Sequence, residues 1–179
     1  MAARSVEGSG RCPLILVIGY GNLLRSDDGA GVRLVELLAQ RQLPHIQTLT
    51  VAQLVPELAE AVARSAAVIF VDAAAHPPRP RHPYRCFGLT RLRPRHHHQG
   101  LDWHFSAPHH LLALAESLYG FAPPAWLITL PAENFDLGDQ LSPTCSQAVE
   151  RTLEWLSDWL RLLLRRLERY QRLRSASLL

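Results

Sequence analysis

Residues 15–38 read ILVIGYGNLLRSDDGAGVRLVELL. An apolar run ends in a Gly-Tyr-Gly turn, and an apolar-periodic segment follows. The run 13–19, PLILVIG, suits a strand buried on both faces. Val32, Val35, Leu38 and Ala39 then recur at helical spacing. Strand, glycine turn and helix normally form a phosphate-binding loop. Here the turn carries Asp27 and Asp28.

A dinucleotide reading fails twice. Its third glycine would fall at position 24, which is Leu. Two adjacent carboxylates would also repel a pyrophosphate that depends on helix N-terminal N–H groups. Carboxylates beside strand ends suit a cation instead. One of the pair is expected to cap the following helix; Asp27 takes that role, which leaves Asp28 for chemistry.

The pattern continues as β-α-β-α-β. HIQTLTV at 45–51 alternates as a second strand, Pro56 opens a short helix, and AAVIFVDA at 66–73 is an apolar third strand closing on Asp72 and Ala73. A further strand is expected at about 84–91, inside a Pro-, Arg- and His-rich stretch. A helix is expected at 108–119 and a last strong strand at 125–132. Ser142 and Pro143 open a long final helix, whose Val149, Leu153, Leu156, Leu160, Leu163 and Leu167 form an apolar stripe. Trp155, Trp159 and Leu162 make an adjacent stripe. The stripes predict packing on the sheet, and the part beyond about Leu163 is expected to outrun the domain. The expected fold is α/β: a three-layer α/β/α sandwich around a central, mostly parallel, twisted sheet of about five strands.

Composition bounds the rest. The chain has 179 residues, 47% hydrophobic and 20% charged, as expected of one globular domain. Residues 1–12 read as a disordered leader without the apolar core of a signal peptide, and 13–179 as a single domain. All 19 basic residues are Arg, and the net charge of +3 rests largely on a C-terminal run from Arg161 to Arg174. A basic tail of this kind does not imply a nucleic-acid surface. No apolar run reaches the roughly 18–20 residues that span a bilayer. Cys12, Cys86 and Cys145 are scattered without metal or disulfide spacing, so a cytoplasmic protein is expected, with neither membrane nor nucleic acid as partner.

In an open parallel sheet, ligands bind beyond the carboxyl ends of the strands. Asp28 and Asp72 belong there, and a His near the start of the 108–119 helix would add an imidazole. Two oxygens and one nitrogen form a borderline set suited to nickel or zinc, with positions left open. A Ser106–His109–Asp72 triad is disfavoured, since neighbours in sequence are not a geometry, and no Gly-x-Ser-x-Gly elbow or nucleophilic cysteine context occurs.

GYGNLLRSDDGAGV at 19–32 resembles the Gly-x-Gly-Asn-x-Leu-x-x-Asp-Asp/Glu-Gly-x-Gly-Val motif of the nickel–iron hydrogenase maturation endopeptidases. The resemblance extends through VIFVDA at 68–73, APHHLLALAESL at 107–118 and LPAENFDLGDQLSP at 131–143, covering about 13–160. It implies a protease domain that removes a C-terminal extension from the precursor of the hydrogenase large subunit after nickel insertion. It implies recognition of that nickel by Asp28, where many relatives carry Glu, by Asp72 and by one histidine. Asp28 or Asp72 would also act as catalytic base. Aligned on the Pro-His of some relatives the histidine is His109; in the bidirectional, NAD-linked subgroup it precedes that Pro, which gives His104. His110 and the run His96–His98 are weaker candidates. QLVPEL at 53–58 resembles the variant of the bidirectional subgroup, in place of an Asp-Gly-Gly-Thr-type stretch. The nickel would arrive with the substrate, so no tightly bound metal is expected in the free protein, which would act as a monomer. A non-catalytic, nickel-sensing chaperone on the same fold is the alternative.

Overall fold

The computed structural model describes residues 14–76, 86–95 and 107–176. The expected leader at 1–12, and His96–His98, lie outside the described residues.

Strands β1 (Ile15–Tyr20), β2 (Ile46–Val51), β3 (Ala67–Ala74), β4 (Gly88–Leu92) and β5 (Ala125–Pro131) form one sheet in the order β2-β1-β3-β5-β4. Pairings within β2-β1-β3-β5 are parallel; β4 lies antiparallel on β5 at the edge. Helices are α1 (Ala30–Gln40), α2 (Ala59–Ala63), α3 (Pro108–Tyr119) and α4 (Pro143–Ala176). The α/β sandwich is as expected, with β4 starting later in the chain than the pattern suggested.

Alternation along the central strands feeds two cores. Ile15, Val17, Ala67, Ile69 and Val71 pack with α1 and α4, whereas Leu16, Ile18, Val68 and Phe70 pack with α2 and α3. On α1 the buried side chains include Leu34, while Ala39 turns to solvent. Continuous apolar runs are thus explained by a sheet covered on both faces. Ser142 caps α4 as expected, its Oγ accepting the Cys145 N–H at 3.2 Å. Gly120 ends α3 in the left-handed conformation, φ 73°.

The apolar stripe of α4 is buried through Leu160, and Leu163 and Leu167 pack partly against the same core. Trp155 stacks on Trp159 with ring centroids 5.1 Å apart, and Trp159 meets Trp126 of β5 edge-on. Beyond them Leu162, Tyr170 and Leu173 are exposed. The helix therefore runs past the body of the domain. Among the described residues no helix is long and apolar enough to cross a membrane.

Candidate active site

β1 connects to β2 on one side and lies against β3 on the other. The strand order reverses there, so a crevice opens at the carboxyl ends of β1 and β3. Asp28 lies in the loop after β1, within a single 3-10 turn (Ser26–Gly29), and Asp72 sits near the end of β3. Both are half-buried. The sequence-based placement of these two residues holds.

Glycines make the crevice, though not for a phosphate. A Cβ at Gly19 would lie 2.3 Å from the Gly31 carbonyl oxygen, and one at Gly31 would lie 2.4 Å from that of Val71. The N-terminus of α1 thus sits directly on the ends of β1 and β3. Asn22 then shapes the loop: its Oδ1 accepts the Leu24 N–H at 2.9 Å and its carbonyl accepts the Arg25 N–H at 3.1 Å. The Asn22 N–H donates to Asp28 Oδ2 at 2.8 Å, which orients that carboxylate.

Asp72 accepts the Ala73 N–H at 2.8 Å and the hydroxyl hydrogen of Tyr20, a buried residue of β1. Burial pushes the Asp72 pKa above the usual carboxylate range. The bonds from Tyr20 and Ala73 oppose the rise, and the Asp28 charge adds to it. Burial, the Asp72 charge and the shared hydrogen bond keep the Tyr20 phenol protonated, so it remains the donor. Among the described residues, neither Asp28 nor Asp72 pairs with a basic side chain. Among the described residues, two carboxylates therefore share a site with no arginine paired to either, an arrangement that favours either a proton or a cation.

His109 is half-buried in the first turn of α3, its ring 4.2 Å from that of His110, and its carbonyl accepts the Arg95 N–H at 3.4 Å. Among the described residues no three His, Cys, Asp or Glu side chains are grouped closely enough to hold a metal ion. The structure thus brings the two carboxylates together but does not complete a three-ligand set with His109. His104, the other imidazole candidate, and Ser106 of the disfavoured triad lie outside the described residues.

Asp27 departs from expectation. Neither the 3-10 turn nor α1 has a side-chain cap. The Asp27 carboxylate is instead fully buried and accepts the N–H groups of Glu133, Asn134 and Ser142 and the Ser142 hydroxyl. The partners lie in the segment between β5 and α4, more than a hundred residues away, where local spacing cannot point. Tyr20 also went unseen, because the middle residue of a Gly-x-Gly turn carries no signal for a hydroxyl that reaches β3.

Cys145 is fully buried. Burial, with the neighbouring Asp27 charge and hydrogen bond, pushes its thiol up to about 12, so it is no nucleophile. A surface cavity of about 560 Å³ lies elsewhere, between α1 and α4 around the Arg41–Glu154 ion pair. It contains none of the site carboxylates.

No protein-family model and no curated protein sequence matches the chain significantly. Solved structures do. The hydrogenase maturating endopeptidase HybD from E. coli superposes with a TM-score of 0.62 at 24% identity, over 83% of this chain and 92% of that one. The [NiFe] hydrogenase maturation protease HycI from Thermococcus kodakarensis gives 0.63 at 21% identity, over 86% and 95%. HybD from the same archaeon gives 0.61 at 21%, over 82% and 98%. The chain, with its five-stranded, mostly parallel sheet and covering helices, has the α/β fold of these hydrogenase maturation protease structures.

Proposed function

We propose that the chain is a nickel–iron hydrogenase maturation endopeptidase, which removes the C-terminal extension of a large-subunit precursor once its nickel is in place. The observation that carries this reading is the convergence of Asp28 and Asp72, two half-buried carboxylates lacking a basic partner among the described residues, at the switch point of this fold. The motif at 19–32 and the fold shared with named maturation proteases support it. QLVPEL at 53–58 favours a precursor of the bidirectional, NAD-linked type. The reading also takes the protein to be cytoplasmic and to act as a monomer.

Nickel belongs to the substrate in this reading. Asp28 and Asp72 would hold it, with His109 or His104 as third ligand, and oxygen donors with one imidazole fit such an ion. Held there by these residues, nickel would supply Lewis acidity, which can polarise the scissile carbonyl and lower the pKa of a bound water toward about 7. Asp72 is suited to act as base as well, because burial strengthens its hold on a proton. Tyr20 holds Asp72 in place through its hydroxyl. A site with so few ligands binds free nickel weakly, and strong binding requires precursor contacts and metal together.

The test is to incubate the chain with nickel-loaded and nickel-free precursor and weigh the products by mass spectrometry. Loaded precursor should lose its extension, and nickel-free precursor and casein should remain intact. Binding of the loaded precursor without any cut would favour a nickel-sensing chaperone. Digestion of casein or nickel-free precursor at a comparable rate would overturn the assignment.

A further inference from the structure

We propose that Asp27 is a positioning residue, a buried pin that locks the loop after β1 to the segment between β5 and α4 and so sets the place of Asp28. What Asp28 does rests on the proteolytic reading above; the pin is read from geometry alone.

The Asp27 carboxylate is fully buried and bonded to the segment between β5 and α4. Oδ1 accepts the Ser142 N–H at 2.6 Å. Oδ2 accepts the N–H groups of Glu133 at 2.8 Å and Asn134 at 3.0 Å, and the Ser142 hydroxyl at 2.8 Å. Every donor is neutral, so only a complete set of hydrogen bonds makes a buried anion tolerable there. An amide in its place would turn an N–H₂ group toward N–H donors.

The backbones on either side are laced together as well. Ser26 N–H donates to Gly138 O at 2.8 Å, Asp27 N–H to Asn134 O at 3.0 Å, and Gly138 N–H to Leu24 O at 3.0 Å. Arg25 Nε reaches Phe135 O at 3.2 Å, and Ser26 Oγ donates to Asp136 O at 3.1 Å. Ser142, the far anchor, is also the cap of α4. The two loops are therefore one platform resting on a long helix, with Asp28 the next residue after its pin. Asp28 has only the Asn22 N–H to steady its carboxylate from its own loop. Any rotation of Asp27 moves the Asp28 backbone directly.

The experiment uses the full chain carrying Asp27→Asn or Ser142→Ala, with two readouts. The first is amide hydrogen exchange by NMR, which needs no substrate. Loss of the pin should speed exchange at Asn22, Gly138 and 133–142 by about tenfold or more, while β1 amides keep their protection. The second is cleavage of nickel-loaded precursor per folded molecule, in which kcat should fall about tenfold or more with KM little changed, since the loss is one of alignment. Ser142→Ala retains the carboxylate and its backbone donors, so it reports a smaller change of the same kind even if Asp27→Asn does not fold. Unchanged Asn22 exchange and unchanged kcat in the folded variants, with only a lower Tm, would overturn the proposal and leave Asp27 a purely structural anion. If the unaltered chain does not cut the precursor, the proteolytic reading falls, and Asn22 exchange alone decides the pin.

Discussion

Gly21 and Asp28 meet backbone to backbone: a Cβ on Gly21 would lie 1.9 Å from the Asp28 carbonyl oxygen, and Gly21 has a φ of +137°. The glycine after β1 thus leaves room for a carboxylate loop to fold back over the strand end. Gly21→Ala should cost about 2 kcal/mol or more, from left-handed strain plus the clash. It should also displace Asp28. Urea denaturation and precursor cleavage, measured together, should both be impaired; a variant as stable and active as the original would remove the glycine from the site.

Asp28→Asn and Asp72→Asn should both fold and both lose processing. For Asp72 the stability sign is calculable. Its folded pKa is raised, chiefly by burial, so its favourable contribution is complete below the ordinary carboxylate pKa and is lost as pH rises through the raised value. At pH 7 Asp72→Asn should therefore be at least as stable as the original chain, a trade of stability for function. Thermal melts at pH 7 beside the cleavage assay check this, and full activity in either variant would show that its carboxylate is dispensable.

Tyr20→Phe removes the hydrogen bond that opposes the rise in the Asp72 pKa. The carboxylate should then protonate at higher pH, and the acid limb of the cleavage profile should shift upward. Stability should drop by about 1 kcal/mol, the usual net worth of one hydrogen bond. An unmoved acid limb would show that Asp72 ionisation does not govern the rate.

His109→Ala and His104→Ala separate the two imidazole candidates. One of them alone should abolish processing, with His109 favoured by its place in the first turn of α3. Mass spectrometry of the precursor after incubation with each variant gives the answer. Equal activity in both would dismiss a histidine ligand from this pair.

Acid stability should depend on Asp27. Burial alone would raise its pKa, but the bonds from Glu133, Ser142 and Asn134 outweigh burial and lower it. Its contribution is present above the ordinary carboxylate pKa and is lost as pH falls through the depressed folded value. Asp27→Asn should be less stable than the original at pH 7, with the gap narrowing as the medium is acidified. Denaturant midpoints across that range test the sign.

The sequence by itself determined what depends on near neighbours. Apolar runs marked β1 and β3, helical spacing marked α1 and α4, and Ser142-Pro143 marked the start of the last helix, because strand pleat, helical pitch and capping all act within a few residues. Asp28 and Asp72 were legible for the same reason: each follows an apolar run closely enough to be placed at a strand end. Tertiary structure alone decided the rest. Side-chain period does not encode strand order, so the edge position and antiparallel direction of β4 came only from its pairing with β5. The bond from Tyr20 to Asp72 exists because β1 and β3 are adjacent. Asp27 resembled a helix cap because a short-range rule was the only one available to it. Its real donors arrive with β5 and α4, and a buried carboxylate is held by whichever N–H groups the fold delivers, however distant in the chain.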